Sequence, residues 1–282
     1  MERNEYEKLR KKLSLPVKYQ PAYAELSRQH PNVSYDTMVS IYSQECARRV
    51  RKTFNESHHK RPDAMHKYAK RYLAGETLAQ IAHDIDLPAC LLARLMLQTL
   101  LGLHKQTVGT VMKDPSGLLR ADLNLPREAM DSGLVERLKT DILLAVDEDH
   151  VSSPYVNTVQ RVMGLEYESL LCEKLVSLDI PFYPEDALRA EGLAKTPDVK
   201  LELPIAVDDH IVHWIDSKAC FCDGHGYLRE ASAQFQGYVH RYGPGMVIYW
   251  FGFIKELQGE QPGVLLVDDF PSPSRITKLT GS

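Results

Sequence analysis

The chain has 282 residues, of which 44% are hydrophobic and 26% are charged, values typical of a globular protein that buries a sizeable core. No run approaches the roughly 18 apolar residues that a membrane-spanning helix requires, and the charged start of the sequence lacks the apolar stretch of a secretory signal. We therefore expect an intracellular protein whose cysteines are free thiols.

Charge is unevenly distributed along the chain, although the net charge is only −4. Residues 1–70 contain 15 Lys and Arg against 8 Asp and Glu, whereas the other residues contain 19 against 30. This asymmetry is expected if residues 1–70 contact the phosphates of a nucleic acid. A basic helix exposed to solvent explains it equally well. The candidate nucleic-acid contacts are all basic: Arg48, Arg49, Arg51, Lys52, Lys60, Arg61 and Arg94.

Residues 1–112 carry helical periodicity nearly throughout and lack the alternation of strands. Within them, residues 77–96 resemble a helix-turn-helix, with apolar residues at the positions that this motif buries. The second helix would expose only a few side chains to a nucleic-acid groove: Ala89, Cys90, Arg94 and Gln98. Base recognition needs more Arg, Lys, Asn or Gln than that. The segment therefore predicts the shape of a helix-turn-helix rather than sequence-specific binding.

The rest of the chain divides into a connector and a mixed domain. Residues 113–160 are rich in turn formers and acids, which predicts a connector with short helices, such as one over 134–146. Residues 161–282 alternate between helical and strand patterns, so the predicted fold class is α+β with a helical N-terminal region. In chain order we expect a helix from Glu166, a strand at 180–183, a hairpin of 198–205 and 211–219, a helix over 227–242, and strands at 246–253 and 263–267.

Two acidic residues and a lysine occupy the predicted hairpin. Asp198 begins the first strand, and Asp216 and Lys218 lie two positions apart on the second, where alternation places them on one face. If the hairpin turns through residues 207–209, Asp198 lies directly across from Lys218 and diagonal to Asp216. Other registers are possible because Pro204 can introduce a bulge, and a one-residue slip would move Asp198 to the opposite face.

Two carboxylates and an amine on one sheet face suit phosphodiester hydrolysis. Paired carboxylates bind a hard cation such as Mg²⁺ or Mn²⁺, which activates water and neutralises phosphate charge, while a lysine orients the water. An exposed Asp–Lys pair is the plain structural alternative. However, Trp214 and Ile215 place Asp216 in a buried strand, where an unpaired carboxylate is costly. We therefore predict a metal-dependent catalytic site at Asp198, Asp216 and Lys218.

Further polar residues fall on the inward faces of the flanking helices. Glu168 shares a stripe with apolar residues of its own helix and points toward the sheet, whereas Glu166 is rotated away from that stripe. Gln234 and Tyr238 are four positions apart on the later helix, so they are neighbours on its inward side. These residues extend the candidate site beyond the hairpin.

The order Gly-x-x-x-Glu, Pro-Asp, Asp-x-Lys and Gln-x-x-x-Tyr resembles the PD-(D/E)xK nuclease superfamily, which includes archaeal Holliday-junction resolvases. The strings at 195–198, 213–219, 234–235 and 241–254 are more closely similar to the codanin-interacting nuclease family, also called the TPD-motif family. The resemblance implies a restriction-endonuclease-like fold and hydrolysis of nucleic acid, most readily DNA, with Mg²⁺ or Mn²⁺. It also implies a codanin-like protein partner and, in a eukaryote, a place in the nucleus and cytoplasm.

The resemblance also implies roles for individual residues. Asp198 and Asp216 would be metal ligands, and the backbone carbonyl of Ser217 would complete the set. Lys218 would orient or deprotonate the attacking water, and Glu168 would assist through water or a second metal. Asp216 stands where many members of the superfamily have Glu, so its shorter reach bears on metal preference.

Gln234 and Tyr238 would steady the site or the substrate, although Gln234 as a structural cap explains its position nearly as well. Cys220, Cys222 and His225 could suggest zinc, but no fourth ligand is near in sequence, and we expect a flexible loop there at the mouth of the site. Two further alternatives are a catalytically weak scaffold that binds a protein partner and a DNA-binding regulator led by the helix-turn-helix.

Overall fold

The computed structural model describes residues 1–14, 22–55, 59, 61–119, 123, 133–149 and 151–279. Helical segments come first, and a mixed sheet flanked by helices follows, which confirms the predicted α+β class. None of the described helices has the combination of length and apolar character that crossing a membrane would require.

The chain divides into two compact units. The sheet unit comprises residues 1–11, 23–41 and 160–282, and the helical unit comprises residues 12–22 and 42–159, as far as these residues are described. The boundary that we predicted after residue 112 therefore falls inside the helical unit, and the first helices of the chain belong with the sheet.

The N-terminal helices join the sheet unit because they are hydrogen-bonded to its loops. The hydroxyl of Tyr6 donates to Asp223 Oδ2 at 2.9 Å, and the hydroxyl of Thr37 donates to the carbonyl of Phe251 at 2.7 Å. The ring of Tyr6 also stacks on that of Phe221, with centroids 5.6 Å apart. The periodicity of a helix cannot reveal such contacts, because the hydrogen-bonded partners lie 217 and 214 positions away.

Among the described residues, the elements that precede the first strand are all helical. They are α1 (Arg3–Leu13), α2 (Tyr23–Gln29), α3 (Tyr35–Asn55), α4 (Pro62–Leu73), α5 (Leu78–Asp84), α6 (Ala89–Leu101), α7 (Lys105–Lys113), a short 3-10 helix (Pro115–Leu119), α8 (Leu134–Glu148) and α9 (Pro154–Ser177). The predicted connector helix over 134–146 is present as α8. Other parts of the predicted connector, 120–122 and 124–132, lie outside the described residues.

The helical unit packs around α6, and this corrects one expectation. Thr77 and Gln80 form a capping box that begins α5, and α6 follows after a short turn. Cys90, which we expected to be exposed, is fully buried in the apolar core of this unit. Its thiol donates to the carbonyl of Ala145, and its amide donates to Asp149 Oδ2 at 2.9 Å. Most of α6 is buried in the same core, so a base-reading role for the helix-turn-helix stays a prediction with little surface to support it.

Within the described residues, the sheet has six strands in the order β1-β2-β3-β4-β5, with β6 paired to β2. The pairs β1–β2, β2–β3 and β2–β6 are antiparallel, whereas β3–β4 and β4–β5 are parallel. In chain order the elements are β1 (Phe182–Pro184), α10 (Glu185–Ala190), β2 (Val199–Val207), β3 (His210–Lys218), α11 (Gly224–Glu230), a π-helical turn (Ala231–Phe235), α12 (Gln236–Tyr242), β4 (Gly245–Tyr249), β5 (Val264–Val267) and β6 (Ile276–Lys278).

Helices cover both faces of this sheet. On one face, Leu171 of α9 packs in an apolar core with Ile215 of β3. The neighbouring Trp214 points the other way, since side chains alternate along a strand, and its ring meets Tyr238 of α12 edge-on with centroids 5.1 Å apart. Asp216 therefore lies on the face covered by α11 and α12, at the end of β3.

The predicted elements of the sheet unit are present with shifted ends. The helix that we expected to start at Glu166 is the second half of α9, which begins at Pro154. The strand expected over 246–253 ends at Tyr249, and Gly252 then adopts a left-handed conformation with φ of 87°. The chain turns there, which no continuous strand would permit.

Candidate active site

The β2–β3 hairpin sets the positions of the acidic residues through an irregular register. Backbone pairing joins Val207 to His210 beside the turn and Val199 to Ile215 at the far end, with a shift between residues 200 and 205. Pro204 lies inside the shifted segment, where its missing N–H cannot contribute to a ladder. The bulge that Pro204 can introduce is therefore present in the hairpin.

The shifted register corrects the expected pairing of Asp198. Continuing from Val199 and Ile215 by one residue places Asp198 opposite Asp216, rather than opposite Lys218. This differs from the expected pairing by two positions, and a displacement of two preserves the face on which a side chain lies. Asp198, Asp216 and Lys218 consequently share one face, as expected, with the two carboxylates closer than the regular hairpin would place them.

One hydrogen bond and one ion pair connect these residues at the end of β3. The backbone N–H of Ser217 donates to Asp198 Oδ2 at 2.7 Å. Lys218 Nζ lies 2.6 Å from Asp216 Oδ2. Asp216 is only 1% exposed, whereas the side chain of Lys218 is 21% exposed. The site therefore holds one almost fully buried carboxylate beneath an ammonium group that still reaches solvent.

Burial and like charge dominate the electrostatics of this cluster. Burial, followed by the neighbouring Asp216 carboxylate, raises the pKa of Asp198 to about 8. Burial alone would lower the pKa of the Lys218 ammonium, but Asp216 and Asp198 outweigh it, so that pKa lies above its ordinary value. Without a cation, the site therefore holds a protonated lysine and a carboxyl group that resists ionisation.

Glu168 approaches the cluster from α9. Its side chain is half-buried, whereas Glu166 is exposed. Burial raises the pKa of Glu168, and the charge of Glu185 raises it further, while Lys218 acts in the opposite direction. Asp216 adds to the repulsion. Glu168 thus lies within electrostatic reach of Asp216 and Lys218, although α9 packs on the other face of the sheet.

The helix predicted over 227–242 is broken in the middle by the π-helical turn, and this turn carries Gln234. Single π-turns are frequent at functional sites. Oε1 of Gln234 is buried and accepts no hydrogen bond from the part of the chain that the structure describes. Tyr238, one turn later, is buried and donates its hydroxyl to the carbonyl of Thr196 at 2.8 Å. Tyr238 therefore fixes the position of the loop that precedes Asp198 in the chain.

A tryptophan and a glycine close the base of the site. Trp214 is fully buried and donates its indole N–H to the carbonyl of Gly243 at 2.8 Å. A Cβ added at Gly245 would lie 2.0 Å from Cε2 of Trp214, so only glycine allows β4 to approach β3 this closely. The backbone of β3 beneath Asp216 is fixed by this packing.

Two glutamates beside the site, Glu185 and Glu230, were not identified from the sequence. The amide of Glu185 donates to the carbonyl of Asp198 at 2.9 Å, and its carboxylate accepts a hydrogen bond from Thr196 Oγ1 at 3.1 Å. Glu230 accepts a hydrogen bond from the hydroxyl of Tyr249 at 2.7 Å and acts electrostatically on Lys218. Neither glutamate belongs to a motif, and both reach the site through the tertiary fold.

The segment after β3 is packed rather than flexible, contrary to our expectation. Phe221 and Cys222 are 1% and 2% exposed, and an isolated bridge joins Cys222 to Phe253. Burial raises the pKa of the Cys220 thiol to about 12 and also raises that of Cys222. His225, in contrast, is exposed. Cys220 and Cys222 therefore contribute to the packing of the described part of the chain.

The basic residues proposed as nucleic-acid contacts differ in their surroundings. Arg51 and Lys52, near the end of α3, are exposed, as is Arg61 at the start of α4. Arg49 is half-buried, and Lys60 lies outside the described residues. The exposed residues keep their charge available to a phosphate.

Two other arginines in this set have protein partners. Arg48 is ion-paired with the buried Glu45, one turn earlier on α3. Arg94 is half-buried in the helical unit and donates to the carbonyl of Ser152 at 3.4 Å. Both contacts give these side chains a structural role within their unit.

Comparison with known proteins adds an independent observation. Residues 134–270 match a family model described as "Protein of unknown function TPD sequence-motif". The chain is 36% identical over 259 residues to CDAN1-interacting nuclease 1 of Homo sapiens, a match that covers 88% of this chain and 87% of that protein. It is 35% identical over 264 residues to the Mus musculus protein of that name, covering 88% and 87%, and 38% identical over 250 residues to the Danio rerio one, covering 84% and 78%. No solved structure matches the chain.

Proposed function

The chain belongs to the family of CDAN1-interacting nuclease 1, and from this premise we propose that it is a metal-dependent PD-(D/E)xK nuclease that hydrolyses phosphodiester bonds of DNA. Nuclease activity is what the names of the relatives state, whereas the catalytic class, the metal and the substrate are inferred. The observation that carries the inference is the convergence of Asp198, Asp216 and Lys218 on one face at the end of β3.

The residues present fit a Mg²⁺ or Mn²⁺ ion. Burial beside Asp216 raises the pKa of Asp198 to about 8, and a cation between the two carboxylates would relieve that repulsion. Among the described residues, no group of three or more His, Cys, Asp or Glu side chains is arranged to hold a metal. Mg²⁺ needs only one or two carboxylates from a protein and fills its other positions with water and phosphate oxygens, so Asp198 and Asp216 suffice as its side-chain ligands. Asp198, Asp216 and the Ser217 carbonyl would hold the ion.

The side chains of the site have distinct tasks in this proposal. A bound cation would lower the pKa of a water molecule and neutralise charge on the phosphate. Lys218, whose ammonium lies 2.6 Å from Asp216 Oδ2, acts as a hydrogen-bond donor to the water or the phosphate. Glu168, whose pKa is raised by burial, is better suited to accept a proton, directly or through one water.

A substrate panel tests the proposal. Labelled single-stranded, duplex, flap, junction and RNA substrates are incubated with the full chain in Mg²⁺, in Mn²⁺ and in EDTA. Asp216→Asn and Lys218→Met are purified in parallel, because a contaminating nuclease would survive both changes. Asp208→Asn, an exposed aspartate at the hairpin turn, is the matched control.

We expect DNA cleavage to require the metal. Its rate should fall at least about a hundredfold in both site variants and stay unchanged in the control. No cleavage by the wild type, or equal cleavage in EDTA, would overturn the proposal of a metal-dependent nuclease. Faster cleavage of RNA than of DNA would overturn only the choice of substrate.

The second part of the proposal is a codanin-like protein partner, since the relatives are named as interacting with CDAN1. Calorimetry with the CDAN1 relative from the same organism, using wild type and Asp216→Asn, measures this directly. Equal affinity for both forms would place binding apart from catalysis. Absence of binding by both would remove the partner from the proposal.

A further inference from the structure

The tripeptide Thr196-Pro197-Asp198 is held at three points in the sheet unit. Tyr238 donates its hydroxyl to the carbonyl of Thr196 at 2.8 Å, from the side of α12. Glu185 contacts both ends, because its carboxylate accepts from the hydroxyl of Thr196 at 3.1 Å and its amide donates to the carbonyl of Asp198 at 2.9 Å. Pro197 between these ends has a fixed φ and no N–H.

The chain just before the tripeptide is also restrained. Lys195 has a positive φ of 56°, a conformation that costs free energy for any residue other than glycine. The guanidinium of Arg241 donates to the carbonyl of Ala194 at 2.8 Å, and Lys195 Nζ donates to the carbonyl of Ala233 at 3.1 Å. These contacts restrain the backbone that leads into the tripeptide.

We propose that Glu185 and Thr196 are positioning residues, which fix the Asp198 carboxylate opposite Asp216 through the hydrogen bond between their side chains. The inference rests on the proposed function, and it explains why a threonine precedes the Pro-Asp pair. Thr196 is 4% exposed, so its hydroxyl needs a protein partner, and Glu185 supplies one. The same carboxylate oxygen also accepts from Arg189 at 2.7 Å, so it keeps a donor if the hydroxyl is removed.

The role of Glu185 in this pair is that of an acceptor, and its charge is not needed. Gln at 185 keeps a carbonyl oxygen for Thr196 and the backbone amide for Asp198. It loses the partly exposed ion pair with Arg189, which contributes little, and the charge that acts on Glu168, which Ala at 185 loses equally. Ala at 185 removes the acceptor. Glu185→Gln and Glu185→Ala therefore separate the hydrogen bond from the charge, and Thr196→Ser and Thr196→Val do the same for the hydroxyl and the methyl group.

The experiment measures kcat, KM and Mn²⁺ affinity by calorimetry in the full chain, at a temperature well below the unfolding midpoint of every variant. We expect Thr196→Val and Glu185→Ala each to lower kcat about tenfold, the factor expected for one buried hydrogen bond, and to weaken Mn²⁺ binding, with KM little changed. Thr196→Ser and Glu185→Gln should stay within about twofold of wild type. The Glu185→Ala/Thr196→Val double variant should be no worse than either single one, because both remove the same contact.

Thr277→Val on the exposed strand β6 is the matched control and should change none of these values. An active wild type with unchanged kcat and Mn²⁺ affinity in Thr196→Val would overturn the positioning role and leave the proposed function standing. Equal loss in Glu185→Gln and Glu185→Ala would also overturn it, since the charge of Glu185 would then matter. A wild type that neither cleaves nor binds Mn²⁺ would remove the proposed function and this inference together.

Discussion

The backbone N–H of Ser217 donates to Asp198 Oδ2 at 2.7 Å, so a side chain continues the pairing of β2 and β3 beyond their last backbone pair. Ser217 lies between Asp216 and Lys218 in the chain, and this single bond therefore brings the first carboxylate of the hairpin against the other two site residues. The cost is electrostatic, because two carboxyl groups share a buried space.

That cost predicts an unusual dependence of stability on pH. The folded-state pKa of Asp198, about 8, lies above its unfolded value, so the contribution of the protonated group is complete in acid and is lost as the pH rises toward 8. Asp198→Asn keeps an oxygen for the Ser217 N–H and cannot ionise. We expect its free energy of unfolding, measured in EDTA with urea, to exceed that of wild type increasingly from pH 5 to pH 9.

Asp208→Asn is a control of opposite sign. The hydrogen bond from Arg275 lowers the pKa of Asp208, so its contribution is lost in acid and is constant across this range. The difference between Asp208→Asn and wild type should therefore not change from pH 5 to pH 9. Parallel profiles for Asp198→Asn and wild type would contradict the raised pKa.

Features of the site that depend on neighbouring residues can be predicted from the sequence, whereas contacts between residues far apart in the chain cannot. Alternation alone places Asp216 and Lys218 on one face. The predicted face of Asp198 is also correct, because a register error of two positions leaves a side chain on the same face. The register itself was wrong, since Pro204 signals that a bulge is tolerated but not how many residues it takes up. Glu185 was missed because its contacts with Thr196 and Asp198 depend on how α10 meets the loop before β2, which no local pattern records.

The helices show the same limit. The stripe of α9 separates Glu168 from Glu166 by rotation about the helix axis, which a periodic pattern records well. Cys90 was placed on the surface because α6 was assumed to have an exposed face, but this helix is buried on nearly every side. Tertiary packing decided that outcome.

Gly245→Ala tests the close approach of β4 to β3. The new Cβ would lie 2.0 Å from the ring of Trp214, which is fully buried and cannot retreat without losing its hydrogen bond to Gly243. We expect the free energy of unfolding to fall by about 3 kcal/mol, at the upper end for overpacking, and DNA cleavage to fall with it. Thermal and urea unfolding check the change.

Gly237→Ala is the matched control for this substitution. Gly237 lies inside α12, and a Cβ there would meet nothing within 4 Å. Because alanine favours a helix over glycine, the variant should be as stable as wild type or more stable by up to ~1 kcal/mol. A Gly245→Ala protein as stable as Gly237→Ala would mean that Trp214 has room to move.

The exposed basic residues at the end of α3 predict a change in salt dependence. In the cleavage-deficient Asp216→Asn background, Arg51→Glu with Lys52→Glu should weaken DNA binding and reduce the slope of log affinity against log salt by about 2. Lys105→Glu with Lys113→Glu, on exposed positions of α7, makes the same change in net charge and should leave the slope nearly unchanged. Equal effects of the two pairs would indicate general repulsion instead of a phosphate contact at α3.

The two glutamates of α9 give the sharpest test of the site. Glu168 is half-buried within electrostatic reach of Lys218 and Asp216, whereas Glu166 is exposed and is rotated from it by about 200° around the helix. Glu168→Gln keeps the shape and removes both the charge and the basic group, so we expect the cleavage rate to fall at least about tenfold and the Mg²⁺ concentration for half-maximal rate to rise. Glu166→Gln carries the same chemical change and should leave both quantities within about twofold of wild type. A Mg²⁺ titration of the three proteins ranks them directly, and a larger defect in Glu166→Gln would mean that the catalytic side of α9 has been misassigned.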